Sequence, residues 1–286
     1  MIEKQGTLIL RVDANVQVKN EALLLDQVLP EWDSYPIDHF VFYDDGSFDG
    51  TADVIQSNLE KNRYTILSDS IHTKFHEARN RSAMLEYSRD NGANVIVSID
   101  ADELLSDPFI DQWDGIMSQS LDHKLMTFQW NVVGDLGHYR CDPAYYSNYR
   151  DFIFPVEHTG KFDLSLGRYH SPRTPNINAP VGTLHDESAF VHLQALNVRF
   201  YALKQLWYKT FEYLHYDKSV DQINAAYDPV VNGLDFCSRD MPSHILSLDT
   251  FDSGVFSLIE KERGYVDYIL EYSVPELITF GEEYLR

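Results

Sequence analysis

Cysteine is nearly absent from this 286-residue chain, with only Cys141 and Cys237 present. They lie far apart in sequence and lack metal-ligand spacing, so neither a zinc site nor a disulfide framework is expected, and the pair suits a reducing compartment. Cations are also scarce: 23 Lys and Arg stand against 45 Asp and Glu, for a formal charge of -22. Like charge opposes contact with a nucleic-acid backbone or an anionic membrane surface, which removes both as expected partners. An anionic ligand then needs a divalent cation or a local Arg cluster between it and the chain. No window approaches the ~20 consecutive apolar residues of a membrane-spanning helix. The N-terminal apolar run is short and has no cleavage-site pattern, and there is neither an internal repeat nor a low-complexity tract. The expected location is cytoplasmic.

What is present is a periodic, apolar-rich sequence, 44% hydrophobic and 13% aromatic, which suits one large domain or a domain with an appended helical lobe. Strand-like runs at 7–12, 39–44, 63–68 and 94–100 alternate with helix-spaced segments at 20–32, 51–62 and 76–92, the last closed by Gly92. Such alternation predicts an α/β fold with a mostly parallel sheet flanked by helices. Beyond residue 108 the pattern changes. A long strand is expected over 123–134, then a stretch to about 190 rich in Tyr, Pro, Asp and Gly, with short strand pieces such as DFIFPV. Apolar residues at 196, 200, 203, 207, 211 and 214 then have the period of an amphipathic helix, with Lys204 and Lys209 on its solvent face. A second helix is expected over SVDQINAAY, and the tail after Asp240 leans helical.

Two acidic clusters stand at predicted strand ends, YDDGSFDGT at 43–51 and SIDADE at 98–103. In an open parallel sheet ligands bind at the carboxyl ends of the strands. In the first cluster Gly46 and Gly50 permit a tight turn, Asp49 or Thr51 is placed to cap the following helix, and Asp44 and Asp45 are not needed for the turn. Either cluster alone reads as an ordinary capped loop. Together they crowd carboxylates along one edge, where mutual repulsion favours a bound cation. Oxygen ligands of this kind suit Mg2+ or Mn2+, which complete their shells with water and a substrate's phosphates.

These pieces appear in a particular order: LILRV, then KNEA opening a helix, FYDDGSFDGT, EARNRSAM and the D-x-D of SIDADE. In that order, from residue 7 to about 105, the chain resembles the nucleotide-sugar-binding half of the family 2 glycosyltransferases, the inverting GT-A type. The segment at 190–212 is similar to the His-containing segment and long helix that follow the core in some bacterial members. The resemblance implies a GT-A (Rossmann-like) catalytic domain over 1–190, with a donor-binding half at about 1–108 and an acceptor side at about 109–190. A helical C-terminal extension at 191–286 would pack on it.

The resemblance also implies roles. Asp45 is assigned to the donor's base or ribose, Arg79 to its nucleotide portion, and Asn15, placed just after the first strand, to the base pocket. Asp100 and Asp102 form the D-x-D pair, with Asp102 on the metal and Asp100 on ribose or a metal-bound water, and His192 is a candidate further ligand. The family's acidic pair after the D-x-D strand has no clean copy here. Asp186 and Glu187, or Glu157, are the candidates for general base, and Arg168 and Arg173 are candidate contacts to phosphate or acceptor. The expected activity is metal-dependent transfer of a sugar, with inversion, from a nucleotide diphosphate to a hydroxyl of a glycan or glycolipid-type acceptor in polysaccharide biosynthesis. The alternatives are a non-catalytic nucleotide-sugar or glycan binding module and a sugar nucleotidyltransferase. The latter calls for a Gly-rich phosphate loop near the first strand, and RVDANVQVKNEA has no glycine.

Overall fold

The computed structural model describes residues 10–68, 76–142, 148–166, 171–231, 237–248, 251–252, 255, 259–278 and 282–285. The fold is mixed α/β. The chain divides into two compact units, Met1–Phe128 with Tyr149–Ala189, and Gln129–Asn148 with Phe190–Arg286.

The first unit opens with β1 (Val12–Val18), α1 (Ala22–Ser34), β2 (His39–Asp44), α2 (Thr51–Asn58), β3 (Tyr64–Ser68), α3 (Glu77–Asp90) and β4 (Val95–Ser98). Short elements follow at β5 (Glu103–Leu105), α4 (Asp107–Asp111) and α5 (Trp113–Gln119), and then comes β6 (Lys124–Val133), whose first half belongs to this unit. After β7 (Asp135–Arg140), which lies in the other unit, β8 (Tyr149–Pro155) and β9 (Val181–Thr183) complete the sheet. Its order is β9-β6-β8-β4-β1-β2-β3. Strands β4, β1, β2 and β3 run parallel, and β8 runs antiparallel to β4 and β6. The chain therefore steps from β1 to β2 and β3 on one side and returns to place β4 on the other, which makes the carboxyl ends of β1 and β4 a topological switch point.

Side-chain alternation explains the layers. Phe40 and Phe42 of β2 stack in series with Trp32 of α1 on one face, while Val41 and Tyr43 pack with Met84 of α3 on the other. The first strand is Val12–Val18 rather than the run at 7–12, of which residues 7–9 lie outside the described residues. A search for unbroken apolar runs passes over VDANVQV because every second residue is polar. Those polar residues are nonetheless inside: Asn15 Oδ1 accepts from Ser88 Oγ of α3 at 3.1 Å. Asn15 thus lies within the strand and not after it.

The second unit holds the rest of β6 with β7, β10 (Phe190–Ala195), α6 (Val198–His215), α7 (Val220–Val231), β11 (Ser238–Asp240) and α8 (Ile259–Tyr272). Its strand order is β10-β6-β7-β11. Leu203 and Leu206 of α6 pack with Ile269 of α8, and Trp207 and Tyr265 join the cluster. Lys209 is buried rather than on a solvent face, its Nζ 2.6 Å from Asp228 Oδ1 of α7. Among the described residues no helix is long and apolar enough to cross a membrane.

Asp13, on the central strand, is 0% exposed and pairs with Arg11 Nε at 2.9 Å. Burial raises its pKa above the ordinary 3.8, and Arg11 offsets this only in part. As pH rises from the unfolded value through the folded one, the unfolded chain ionises first and native stability falls. Asp13→Asn removes that penalty. The melting-temperature difference, variant minus wild type, is expected to grow more positive from about pH 4 to about pH 7. A difference that stays constant or becomes more negative in a thermal-melt series would show that the Arg11 pair, not burial, governs the site.

Candidate active site

The first acidic loop is braced backbone by backbone. Gly46 and Gly50 have φ of 79° and 90°, the left-handed region the turn requires. Asp44 Oδ1 accepts from Ser47 N at 2.8 Å, so Asp44 does take part in the turn. The N-cap position of α2 is Gly50, with no side-chain bond, but Asp49 Oδ1 accepts from Thr51 N, the first amide of that helix, at 3.0 Å. Asp49 Oδ2 also accepts from Ala22 N at the start of α1 at 3.0 Å, while Thr51 Oγ1 accepts from Glu21 N at 2.9 Å. Asn20 Oδ1 accepts from Phe48 N at 3.0 Å, and Ser47 Oγ accepts from Asn20 N at 2.8 Å. The KNEA and DDGSFDGT segments are thereby one knot at the carboxyl ends of β1 and β2.

Asp45 takes no part in those braces. It is 6% exposed, with Asn80 Nδ2 of α3 3.4 Å from its Oδ1 and Lys19 Nζ 3.6 Å from its Oδ2. Arg79 Nη2 reaches Asn80 Oδ1 at 3.4 Å. Asp45, Asn80, Arg79 and Lys19 therefore form one polar group, of which Asn80 and Lys19 were not singled out from sequence. Asn80 carried a signal in retrospect, since it lies within EARNRSAM.

The second acidic cluster folds as a turn directly after β4. Asp100 N donates to Glu103 Oε2 at 2.9 Å, and Glu103 N to Asp100 O at 3.1 Å. Into this turn projects Arg173. Its Nη1 donates to Glu103 Oε2 at 2.6 Å, its Nη2 to Glu103 Oε1 at 3.0 Å and also to Asp100 Oδ2. The guanidinium lies 4.2 Å over the Phe152 ring of β8 and its side chain is 14% exposed; Glu103 is 0% exposed. Burial works against the charge of Arg173, but Asp100 and Glu103, with Asp102 adding to them, outweigh it and hold its pKa above the ordinary arginine value. The Arg173 loop is anchored in turn: Arg81 Nη1 donates to Ser171 O, and Glu77 Oε2 accepts from Ser171 N at 2.8 Å. From α1, Trp32 Nε1 donates to Glu103 O at 3.0 Å, and the OH of Tyr35, just past the end of that helix, accepts from Leu105 N at 3.0 Å.

Asp102 sits at the crest of the same turn and is 8% exposed. Asp186 and Glu187 occupy an exposed loop with His185, whose Nδ1 is 3.0 Å from Asp186 Oδ1 and 3.8 Å from Glu187 Oε2. That loop is tied to Ser106, three residues past Glu103: Ser106 Oγ donates to Glu187 O at 2.6 Å, and Ser106 N to Ala189 O at 2.9 Å. Glu157 lies elsewhere. Pro155 pairs with Val95 and Val156 N donates to Asn94 O, so Glu157 is at the amino-terminal edge of β4, lining a pocket of about 410 Å3 with Arg89 and Lys161. His192, on β10 of the second unit, has Nδ1 2.9 Å from Asn131 Oδ1. Arg168 lies outside the described residues.

Among the described residues no group of three or more His, Cys, Asp or Glu is arranged to hold a metal ion by itself. A Mg2+ or Mn2+ site built on one or two carboxylates and completed by substrate phosphates needs no such group. Asp102 fits that donor set; Asp100 has one oxygen already engaged by Arg173.

No protein-family model matches the chain, and no curated protein does. Among solved structures, S. aureus TarS is similar over 94% of this chain and 50% of its own, with a TM-score of 0.49 and 12% identity, so the chain spans about half the length of that protein. TarS 1-349 in complex with UDP-GlcNAc aligns with 91% of this chain and 82% of its own at a TM-score of 0.48 and 11% identity. The same fragment in complex with UDP gives 92%, 82%, 0.48 and 11%.

Removing Arg173 leaves the buried Glu103 carboxylate, and the partly exposed Asp100 beside it, without their cation. Arg173→Met is expected to lower unfolding free energy by about 3–5 kcal/mol, the cost of breaking a buried pair from one side. Adding Glu103→Gln should restore part of the loss. Chemical denaturation of the two variants measures both; a near-neutral Arg173→Met would remove the guanidinium as the fastener of this turn.

Proposed function

We propose that this chain is a nucleotide-sugar-dependent glycosyltransferase of the inverting GT-A type. One observation carries the reading. Asp45 and Asp102 leave the carboxyl ends of β2 and β4, the two strands that flank β1 at the switch point, and both carboxylates are held almost out of water. Ligands of open α/β sheets bind at this position, beyond the carboxyl ends of strands beside a switch point.

In this reading Asp45, oriented by Asn80, accepts a hydrogen bond from the donor's base or ribose, and Arg79 and Lys19 bring positive charge to its nucleotide portion. Asn15, hydrogen-bonded to Ser88 inside β1, supports the pocket floor. Asp102, with Asp100 beside it, would hold Mg2+ or Mn2+ together with the donor's diphosphate. When bound, the cation would neutralise the diphosphate and the charge that develops on it as the sugar departs. Arg173, committed to Asp100 and Glu103, acts as the clamp that fixes this turn. Glu187 or Asp186 takes the proton of the attacking acceptor hydroxyl, in a loop anchored at Ser106 near the D-x-D turn; Glu157, at the opposite strand edge, is the weaker candidate. The acceptor is a glycan or glycolipid-type hydroxyl, and the proposed location is the cytoplasm.

Thermal melts with a panel of nucleoside diphosphates and nucleotide sugars, UDP and UDP-GlcNAc first, with and without Mn2+, test the reading. One nucleotide should raise the melting temperature in a Mn2+-dependent way, and at a concentration of about 100 Kd the stabilisation is about 2.7 kcal/mol. Asp102→Asn should abolish the Mn2+ dependence, and Asp45→Asn should weaken nucleotide binding at least tenfold. Absence of any shift across the panel would overturn the donor site, and binding without turnover of any donor would favour a non-catalytic binding module.

A further inference from the structure

The two cysteines, 96 residues apart in sequence, come together in the second unit. Strand β11 pairs antiparallel with β7, with Ser238 opposite Arg140, Arg239 opposite Tyr139 and Asp240 opposite His138. One step further along that register Cys237 stands opposite Cys141, and Cys141 N donates to Cys237 O at 2.7 Å. The two Sγ atoms are 2.7 Å apart. Directly opposed residues of an antiparallel pair have Cα atoms ~4.5–5.5 Å apart. That separation falls inside the ~4.4–6.8 Å that a disulfide spans. The sulfurs are already closer than non-bonded sulfurs rest, and forming a ~2.05 Å bond needs only a small side-chain adjustment. Cys237 is exposed and Cys141 partly so, which leaves the pair open to a small reagent.

We propose that Cys141 and Cys237 are a reversible disulfide site whose oxidant is a low-molecular-weight disulfide such as glutathione disulfide. The more exposed Cys237, as thiolate, attacks one sulfur of that reagent; a Cys237–glutathione bond forms and one glutathione leaves as thiol. Cys141, after losing its proton to water, attacks Cys237 Sγ in the mixed disulfide; the Cys141–Cys237 bond forms and the second glutathione leaves. In sum the two cysteines give up two electrons and two protons, and glutathione disulfide becomes two glutathione thiols. Burial and the neighbouring Cys237 push the Cys141 thiol up, with Arg239 pulling the other way, which suits Cys141 to the second step, where its partner sulfur is already activated. The bond ties β11 to β7 and closes the intervening chain into a covalent loop.

The full-length chain, reduced and then equilibrated with glutathione disulfide, provides the test. The number of alkylatable thiols should fall from the two of the sequence to none. Intact mass should show the loss of two hydrogens with no glutathione attached, and an unreduced peptide map should contain Cys141 linked to Cys237. Dithiothreitol should restore both thiols, and Cys141→Ser should instead retain one glutathione on Cys237. Two free thiols after oxidation, or a wild-type chain carrying two glutathiones, would overturn the proposal.

Discussion

The guanidinium of Arg173 is the fastener on which the rest of the site depends. It lies against the face of Phe152 and joins both oxygens of Glu103 and one of Asp100, so that a turn rich in carboxylates keeps a single shape. A buried charge is tolerable only when it is paired and hydrogen-bonded, and here Glu103, fully buried, receives Arg173 on both oxygens and the Asp100 amide as well. The loop bearing Arg173 is in turn held to α3 through Arg81 and Glu77, and the turn's own backbone is held to α1 through Trp32. Helices on opposite faces of the sheet thus meet at the segment that carries Asp102.

That arrangement also bears on how so acidic a chain would receive the anionic donor of the proposed function. Its few cations are not spread evenly. Lys19 and Arg79 gather around Asp45, and Arg173 neutralises part of the D-x-D turn. Local compensation of this kind matters more than net charge over distances shorter than the ~8 Å screening length of physiological salt. In the proposed role it is Asp45 and Asp102, nearly buried beyond the ends of β2 and β4, that meet the ligand.

Much of the first unit was legible because it obeys simple periods. The strand at 39–44 was placed to the residue, and the helices and remaining strands from 20 to 98 fall within a few residues of their expected limits. The first strand was misplaced because burial on both faces let Asp13 and Asn15 sit inside, partnered by Arg11 and Ser88, where hydrophobicity gives no cue. Roles within the acidic loops were less legible. Composition marks Asp44, Asp45 and Asp49 alike, and only the backbone path shows that Asp44 and Asp49 serve amides while Asp45 faces Asn80. Arg173 was visible as an unusual cation, but its partners lie some 70 residues away in the chain, a separation no local pattern encodes. The same holds for Cys141 and Cys237, whose wide spacing argued against a link that the pairing of two short strands makes close.

A crystal structure of the protein with a nucleoside diphosphate and Mn2+ tests the central claim most directly. The account predicts an anomalous Mn2+ peak bonded to Asp102 and the diphosphate, the nucleoside hydrogen-bonded to Asp45, and Arg173 still joined to Asp100 and Glu103. A nucleotide bound away from the β1–β4 switch point, or Mn2+ coordinated with Asp102 left free, would contradict it.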